Sequence, residues 1–257
     1  EVIITELLRN LDYLAPRTSL VKSNVNGTED IMIFQEKIVK EMIEFNQRRE
    51  GPILEGNENI MFLFQSKILR DGTSQFEETF KALEDGTKLQ LAKIVNSSWS
   101  MKSTNHLSLS IKALAELNKI YLTYLSNYNS GLNKFSFMEY NLSNKQLSNN
   151  KKKEISKLNI YNILLISAGA HHGLLTHNRK FYWNSVDRNF EPIYYDGNLD
   201  FNKSQMFTNY PSFYWLPIHG NILKDLNLLL VRIDNVDLTK LNSELKIKGV
   251  NLKNEEL

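Results

Sequence analysis

The sequence predicts an α+β fold with two lobes, a small β-rich lobe at residues 1–95 and a larger, mostly helical lobe at 96–257. Three observations predict this: two β-rich runs flank an Asn-Gly turn near the N-terminus, the clearest helical periodicity begins after residue 106, and a second pair of β-rich runs follows an apolar helix. With 42% hydrophobic and 23% charged residues, the composition is typical of a folded globular protein.

The first third of the chain predicts one short helix and several strands. Apolar side chains at 2–11 share a helical face, and the Ala15-Pro16 pair disfavours continuing that helix. Residues 18–38 predict a β-hairpin, because Asn26-Gly27 supplies the positive φ angles of a tight turn. Residues 51–64 predict one or two further strands.

The rest of the chain predicts helices and a second hairpin. A helix is predicted on apolar or large side chains that recur every three or four residues, namely Leu107, Ile111, Leu114, Asn118, Tyr121, Leu125 and Tyr128. Residues 155–168 predict a buried helix that Gly169 ends, and RKFYWN and NFEPIYYD predict two strands joined by the turn SVDR. The apolar run at 225–233 is compatible with a helix or a strand.

Charge and composition exclude several classes of function. Thirty-one basic and 29 acidic residues leave a net charge of +2, too small to steer the protein to nucleic acid. The chain has no cysteine, so a disulfide framework and a thiolate zinc site are excluded. No apolar run approaches the roughly 20 residues that span a bilayer. We expect a soluble protein without a membrane span, and the abundance of Asn, Lys and Ile indicates a bacterial genome rich in AT.

Imidazoles and carboxylates cluster around the second hairpin. Three of the five histidines lie in the stretch HHGLLTHNRKFYW, and FEPIYYDGNLDF brings Asp196 and Asp200. A buried helix, a polar loop ending in Asn178, a strand, a short turn and a strand leading to Asp196 follow one another as in the catalytic half of a protein kinase. One carboxylate and one amide oxygen suit Mg²⁺, because the remaining sites go to water and nucleotide phosphates.

The sequence resembles the CotH-type spore-coat kinases, a family of atypical kinases. Three segments carry the resemblance: APRTSLVKSNVNGTEDIMIFQEKI, HHGLLTHNRKFYWN and FEPIYYDGNLDF. They are similar to the family's first hairpin, catalytic loop and aromatic-Asp-x-Asp segment, and they extend from residue 10 to about residue 201. The resemblance implies a two-lobed protein-kinase-like fold that transfers phosphate from ATP, with Mg²⁺, to a hydroxyl of a protein or small molecule.

The resemblance also implies roles for particular residues. Asn178 and Asp196 look like the metal ligands, with Asp200 as a second acidic contributor. Three charged residues are candidates for the ion pair that holds the nucleotide phosphates, namely Glu36, Lys37 and Glu55.

Two features depart from the family's pattern. The catalytic aspartate that such kinases carry before the asparagine is missing, and His171 and His172 stand in its place. Histidine can act as a general base near neutral pH. No glycine-rich phosphate loop precedes the first hairpin, and the chain begins with Glu1, so such a loop would lie in an upstream segment.

Two alternatives stay open from the sequence. His171, His172, His177 and Asp196 could bind zinc for hydrolysis, because imidazole and carboxylate are zinc ligands. The missing aspartate also fits a kinase-like fold that binds partners without catalysis. The sequence does not indicate the oligomeric state or the acceptor.

Overall fold

The computed structural model describes residues 1–59, 91–129, 142–199 and 222–252, together with Phe62, Leu63 and Ser66. The fold is mixed α+β, as predicted, with small antiparallel sheets. The described helices are α1 (Val2–Asn10), α2 (Lys40–Phe45), α3 (Ser97–Ser100), α4 (Thr104–Asn129), α5 (Asn144–Leu147), α6 (Lys152–Ser167), a 3-10 helix at His171–Leu174, α7 (Ile222–Asp234) and α8 (Leu238–Ile247).

The described strands form two separate sheets. They are β1 (Thr18–Val25), β2 (Thr28–Gln35), β3 (Ile53–Gly56), β4 (Ala92–Ile94), β5 (Lys180–Asn184) and β6 (Asn189–Ile193). β1 and β2 make a two-stranded ribbon, and the other four strands pair in the order β4-β3-β5-β6, antiparallel throughout. The four-stranded sheet therefore joins strands from both sides of residue 95, since β3 lies beside β5.

Both predicted hairpins are confirmed. In the ribbon, Asn26 and Gly27 have φ angles of 53° and 86°, as a tight turn between twisted strands requires. In the second hairpin, Asn184 pairs with Asn189 around the turn. The Asn184 side-chain oxygen accepts hydrogen bonds from the backbone N–H groups of Val186 and Asp187, which fixes the turn.

The strand predicted at 51–64 is correct only at its start. β3 ends at Gly56, and Phe62 and Leu63 are helical and exposed. The side chain of Asn57 accepts a hydrogen bond from the backbone N–H of Asn59 at 3.1 Å, and this local turn stops the strand.

The long helix predicted after residue 106 is confirmed as α4. Of the residues whose spacing predicted it, Leu107 and Ile111 are exposed; the buried apolar side chains of α4 are Ala113, Leu117, Ile120, Tyr121 and Tyr124. α4 packs against β4 and α3, and these neighbours select a face rotated from the one that hydrophobicity alone indicates.

The four-stranded sheet buries apolar side chains on both faces. One face contributes Leu54, Phe181, Trp183 and Phe190 to a core shared with α4 and α6, and the other contributes Ile53, Tyr182 and Ile193 to a core shared with α2. Alternate residues of a strand point to opposite faces, so each face of this short sheet contributes side chains to an apolar core.

The apolar run at 225–233 is helical and lies within α7. α7 packs on α6, where the buried carboxylate of Asp225 accepts hydrogen bonds from Ser156 at 2.5 Å and Asn159 at 2.6 Å. In the described part of the chain, no helix is both long and apolar enough to cross a membrane.

Candidate active site

The loop between α6 and β5 packs against the segment that follows β6. Gly169, with a φ angle of 68°, ends α6, and the 3-10 helix follows directly. A Cβ atom on Gly197 would lie 2.9 Å from the Cβ of Ala170, and one on Gly173 would lie 3.1 Å from the carbonyl oxygen of Tyr195. The two glycines therefore permit the close approach that brings the loop and this segment together.

Asn178 connects the two segments. Its side chain is buried, and its Nδ2 donates to the backbone oxygens of Asp196 at 3.1 Å and His172 at 3.3 Å. Asn178 and Asp196 are 18 residues apart in the chain, and the β5–β6 hairpin returns one to the other. The structure thus brings together three of the residues that the sequence singled out: His172, Asn178 and Asp196.

His172 lies between Asn178 and Asp196. Its Nδ1 is 2.8 Å from the backbone oxygen of Asp196, a contact in which Nδ1 must donate, and 3.1 Å from Nδ2 of Asn178, a contact in which Nδ1 must accept. In the tautomer that donates to the Asp196 carbonyl, the other ring nitrogen, Nε2, has the free lone pair. The same Nδ1 lies 3.5 Å from Oδ2 of Asp196, and the Asp196 side chain is 57% exposed. His172 can therefore accept a proton beside an accessible carboxylate.

A carboxylate between two ammonium groups lies on the adjoining strands. Glu55 on β3 is the direct cross-strand partner of Lys93 on β4 and of Lys180 on β5. Its carboxylate contacts both side chains, with Lys93 Nζ at 3.1 Å. Glu55 and Lys180 are largely buried, with side chains 15% and 12% exposed. Cross-strand opposite charges stabilise such a pair, and the lower dielectric around it strengthens the attraction.

Lys180 is electrostatically coupled to the Asp196 group. Burial lowers the pKa of Lys180 from 10.5 to about 8, and the negative charge of Asp196 acts in the opposite direction. The Lys180 ammonium also lies 4.3 Å from the centre of the Tyr195 ring, a cation–π contact. The positive charge of Lys180 is therefore held near Asp196 by the sheet.

Glu58 also belongs to this neighbourhood. Burial raises the pKa of its carboxyl group, Lys93 and His172 lower that pKa, and Asp196 raises it further. One cluster thus contains His172, Asn178 and Asp196 from the loops, with Glu55, Glu58, Lys93 and Lys180 from the sheet and its ends. We refer to these seven residues as the polar cluster.

The other candidate residues lie elsewhere or outside the described residues. Glu36 forms an ion pair with Arg17 at the base of the ribbon, and Lys37 follows it on the exposed surface. Asp200 lies outside the described residues, and so does the side chain of His171. Of the three charged candidates for the phosphate ion pair, only Glu55 thus belongs to the polar cluster.

The oxygen donors of the polar cluster suit a hard cation. The Asp196 carboxylate is accessible, and Mg²⁺ commonly uses one or two protein oxygens of this kind and completes its octahedron with water and phosphates. The amide nitrogen of Asn178 faces the backbone of Asp196, so the atom of Asn178 that a metal would take is Oδ1. Among the described residues, however, no group of three His, Asp or Glu side chains is arranged to hold a metal ion by protein ligands alone.

Zinc would need such a group. The rings of His172 and His177 are 6.2 Å apart, centre to centre, and burial lowers the pKa of His177 to about 4, with the charge of His172 acting in the same direction. His177 is thus neutral over the whole physiological range.

Sequence reasoning missed Lys180, Lys93 and Glu58. Lys180 is a charged residue that opens the aromatic strand KFYWN, and this is the signal that could have indicated a special environment. Its pairing with Glu55 could not be read, because the two residues are 125 positions apart and only the sheet register aligns them.

Comparisons with known proteins add no relative. No protein-family model matches the chain, and no curated protein matches it. The function is therefore inferred from the residues and contacts described above.

Proposed function

We propose that the protein is an atypical kinase that transfers the γ-phosphate of ATP to a hydroxyl group, with Mg²⁺ bound at the polar cluster. The observation that carries this proposal is the convergence of the loop residues His172 and Asn178 on Asp196, the residue that follows the hairpin. Phosphoryl transfer depends mainly on positioning and on charge stabilisation, and the polar cluster offers groups for both.

Each part of the polar cluster has a role in this proposal. Asp196 and Asn178 hold the metal, and Asp200 is a further candidate ligand. Lys180 and Lys93, held by Glu55, offer positive charge to the phosphates, and this replaces the earlier expectation that Glu36 or Lys37 serves them. A bound Mg²⁺ would neutralise phosphate charge as the transfer proceeds.

His172 is the candidate general base. In the tautomer whose Nδ1 donates to the carbonyl of Asp196, Nε2 has the lone pair that accepts the proton of the acceptor hydroxyl. The hydroxyl oxygen then bonds to the γ-phosphorus, and the bond from that phosphorus to the bridging oxygen breaks, which releases ADP. His171 stays a second candidate for this role. The two-lobed, kinase-like arrangement belongs to the same proposal, and the order of helix, loop and hairpin supports it.

The test is a thermal shift of the purified protein with ATP alone, with Mg²⁺ alone and with both. A ligand that binds only the native state raises the melting temperature; at a free concentration of one hundred times its Kd, it adds about 2.7 kcal/mol to the free energy of unfolding. We expect a shift that requires ATP and Mg²⁺ together and that Asp196→Asn abolishes. The absence of a shift with both ligands present would refute the proposal.

A matched control is available in the same hairpin. The Asp187 side chain is 57% exposed, as is that of Asp196, but it lies at the turn and pairs with Lys151. Asp187→Asn removes the same charge and should retain the shift; if both variants lose it equally, Asp196 has no specific role. Phosphate transfer to hydroxyl acceptors then separates a kinase from a binding protein, because a scaffold would bind MgATP without consuming it.

A further inference from the structure

A cavity of about 460 Å³ lies on the opposite side of the sheet from the Lys180 side chain. Trp183 forms part of its wall, and residues 180 and 183 of a strand point to opposite faces. The remaining walls come from α4, from the turn after α5 and from the β5–β6 turn. Small-molecule sites commonly have volumes of about 300–1,000 Å³.

The floor of the cavity is aromatic. The rings of Trp183 and Phe190 lie 4.7 Å apart, centre to centre, at an interplanar angle of 54°. Both side chains are packed in the core, with Trp183 5% and Phe190 2% exposed, so the floor is rigid and presents only a small accessible aromatic area. Such a floor favours contact with the edge or part of the face of a flat apolar ring.

The rim of the cavity is basic. It carries Lys112 and Lys119 from α4 and Arg188 from the hairpin turn, against one acidic residue, Glu116. Glu116 is four residues after Lys112, on the same helical face, and offsets its charge. The rim therefore has a net excess of two positive charges, which favours an anionic ligand.

Arg188 occupies a position where an arginine is unexpected. Its φ angle is 53°, in the left-handed region that glycine and asparagine adopt at lower cost. The turn is held rigidly, because Lys151 contacts the backbone oxygen of Asp187 at 2.6 Å and the Asn184 side chain bonds within the turn. A strained arginine on a rigid turn indicates a use for its guanidinium at this rim.

A second strained segment lies across the cavity. Asn149 and Asn150, in the turn after α5, have φ angles of 51° and 61° and also line the cavity. Their backbone N–H groups bond back to Gln146 and Lys145, at 3.1 and 2.8 Å. The side-chain amides at this wall add polar groups that can orient a ligand.

We propose that this cavity binds a small aromatic anion, a flat ring carrying a carboxylate, sulfonate or phosphate group. The ring lies on Trp183 and Phe190, and the anionic group is bound by Lys119 and Arg188. The site is separate from the polar cluster, so its ligand is not the nucleotide of the proposed transfer reaction.

The test uses isothermal titration calorimetry of the full chain with three probes: naphthalene-2-sulfonate, uncharged 2-naphthol at pH 7, and inorganic sulfate. We expect measurable binding of naphthalene-2-sulfonate and much weaker binding of the other two, because each of them lacks one of the two recognised features. Equal binding of 2-naphthol, or no binding of naphthalene-2-sulfonate at millimolar concentration, would overturn the proposal.

Variants separate the cavity from general charge attraction. The double variant Lys119→Gln/Arg188→Gln should weaken naphthalene-2-sulfonate binding about five- to tenfold, since each exposed ion pair contributes roughly 0.2–1 kcal/mol. The matched control Lys22→Gln/Arg49→Gln removes the same charge from exposed residues outside the cavity and should bind as the parent does. If the control loses as much affinity as the cavity variant, the cavity is not the site.

Single variants keep the proposal testable if the double variant unfolds. Lys119→Gln changes an exposed helical residue and should weaken binding about threefold. Asp196→Asn, in the polar cluster, should leave naphthalene-2-sulfonate binding unchanged. A clear gain of binding in Asp196→Asn, expected if the anionic probe lay beside that carboxylate, or a loss of binding would instead assign the probe to the polar cluster and contradict a separate site.

Discussion

The two sheets of this protein contain the same kind of hairpin but differ in their surroundings. In the ribbon, Ile31, Met32, Ile33 and Phe34 are all exposed by 46% or more, although they form a continuous apolar run. In the four-stranded sheet, Phe181, Tyr182 and Trp183 are buried to 5% exposure or less. The difference teaches that turn chemistry decides where a hairpin forms, whereas the elements packed on it decide whether its side chains stabilise the fold.

The largest difference is expected for a pair of phenylalanines. Phe181→Ala, at 0% exposure in β5, should lower the free energy of unfolding by about 3–5 kcal/mol through lost burial and a cavity. Phe34→Ala, at 62% exposure in β2, should change it by no more than about 0.5 kcal/mol. Urea unfolding measures both, and similar losses would mean that the ribbon is covered in solution.

A smaller difference is expected for two asparagines that hold backbone groups. The buried Asn96 accepts from the N–H of Ile53 and donates to the oxygen of Gly51, both at 2.9 Å, so it fixes the start of β3. Asn96→Ala leaves both groups unpaired and should cost about 2–3 kcal/mol.

The ribbon offers the comparison for this asparagine. The exposed Asn24 accepts from the N–H of Gly27 at 3.0 Å, and in Asn24→Ala water replaces that bond, so a loss below about 1 kcal/mol is expected. Thermal unfolding of the two variants measures the contrast; a larger loss for Asn24→Ala would contradict it.

The smallest expected effect is a pH dependence that belongs to the buried sheet. Burial, with a further contribution from Glu191, raises the pKa of Tyr182 from 10 to about 12. Between these values the unfolded state has lost the phenolic proton and the folded state retains it, so stability falls as the pH rises from 10 to 12.

The substitution Tyr182→Phe isolates the contribution of this phenol to the pH dependence of stability. The loss from Tyr182 should be about 1 kcal/mol, and Tyr182→Phe should remove it. Urea unfolding at pH 9.5 and pH 11.5 gives the difference between parent and variant, in which the titration of other groups cancels. Parallel losses in the two proteins would show that the ring is solvated in the folded state.

Helices α1, α4 and α6 and both hairpins could be predicted from sequence, for local reasons. Asn26-Gly27 favours a tight turn by its φ preferences, and the apolar run at 155–168 can be satisfied only by burial. The strand predicted at 51–64 was wrong after Gly56, because a local hydrogen bond at Asn57 ends β3. The face of α4 that is buried depends on its neighbours β4 and α3, which the spacing of its residues does not indicate.

The candidate site divides in the same way. His172, Asn178 and Asp196 could be predicted to lie close together, because one hairpin joins them and the spacing of its two strands in the sequence gives its length. Lys180 and Glu55 could not be paired, because β3 and β5 are distant in the chain and their register depends on the packing of the whole sheet.

The sequence by itself determined the two hairpin turns, helices α1, α4 and α6 and the loop chemistry around Asn178, since these follow from backbone preferences and residue spacing. Only the tertiary structure decided which hairpin is buried, which lysines face Glu55 and where the basic cavity lies. These depend on contacts between residues far apart in the chain, and pairings of that kind are set by the joint packing of several elements rather than by any one segment.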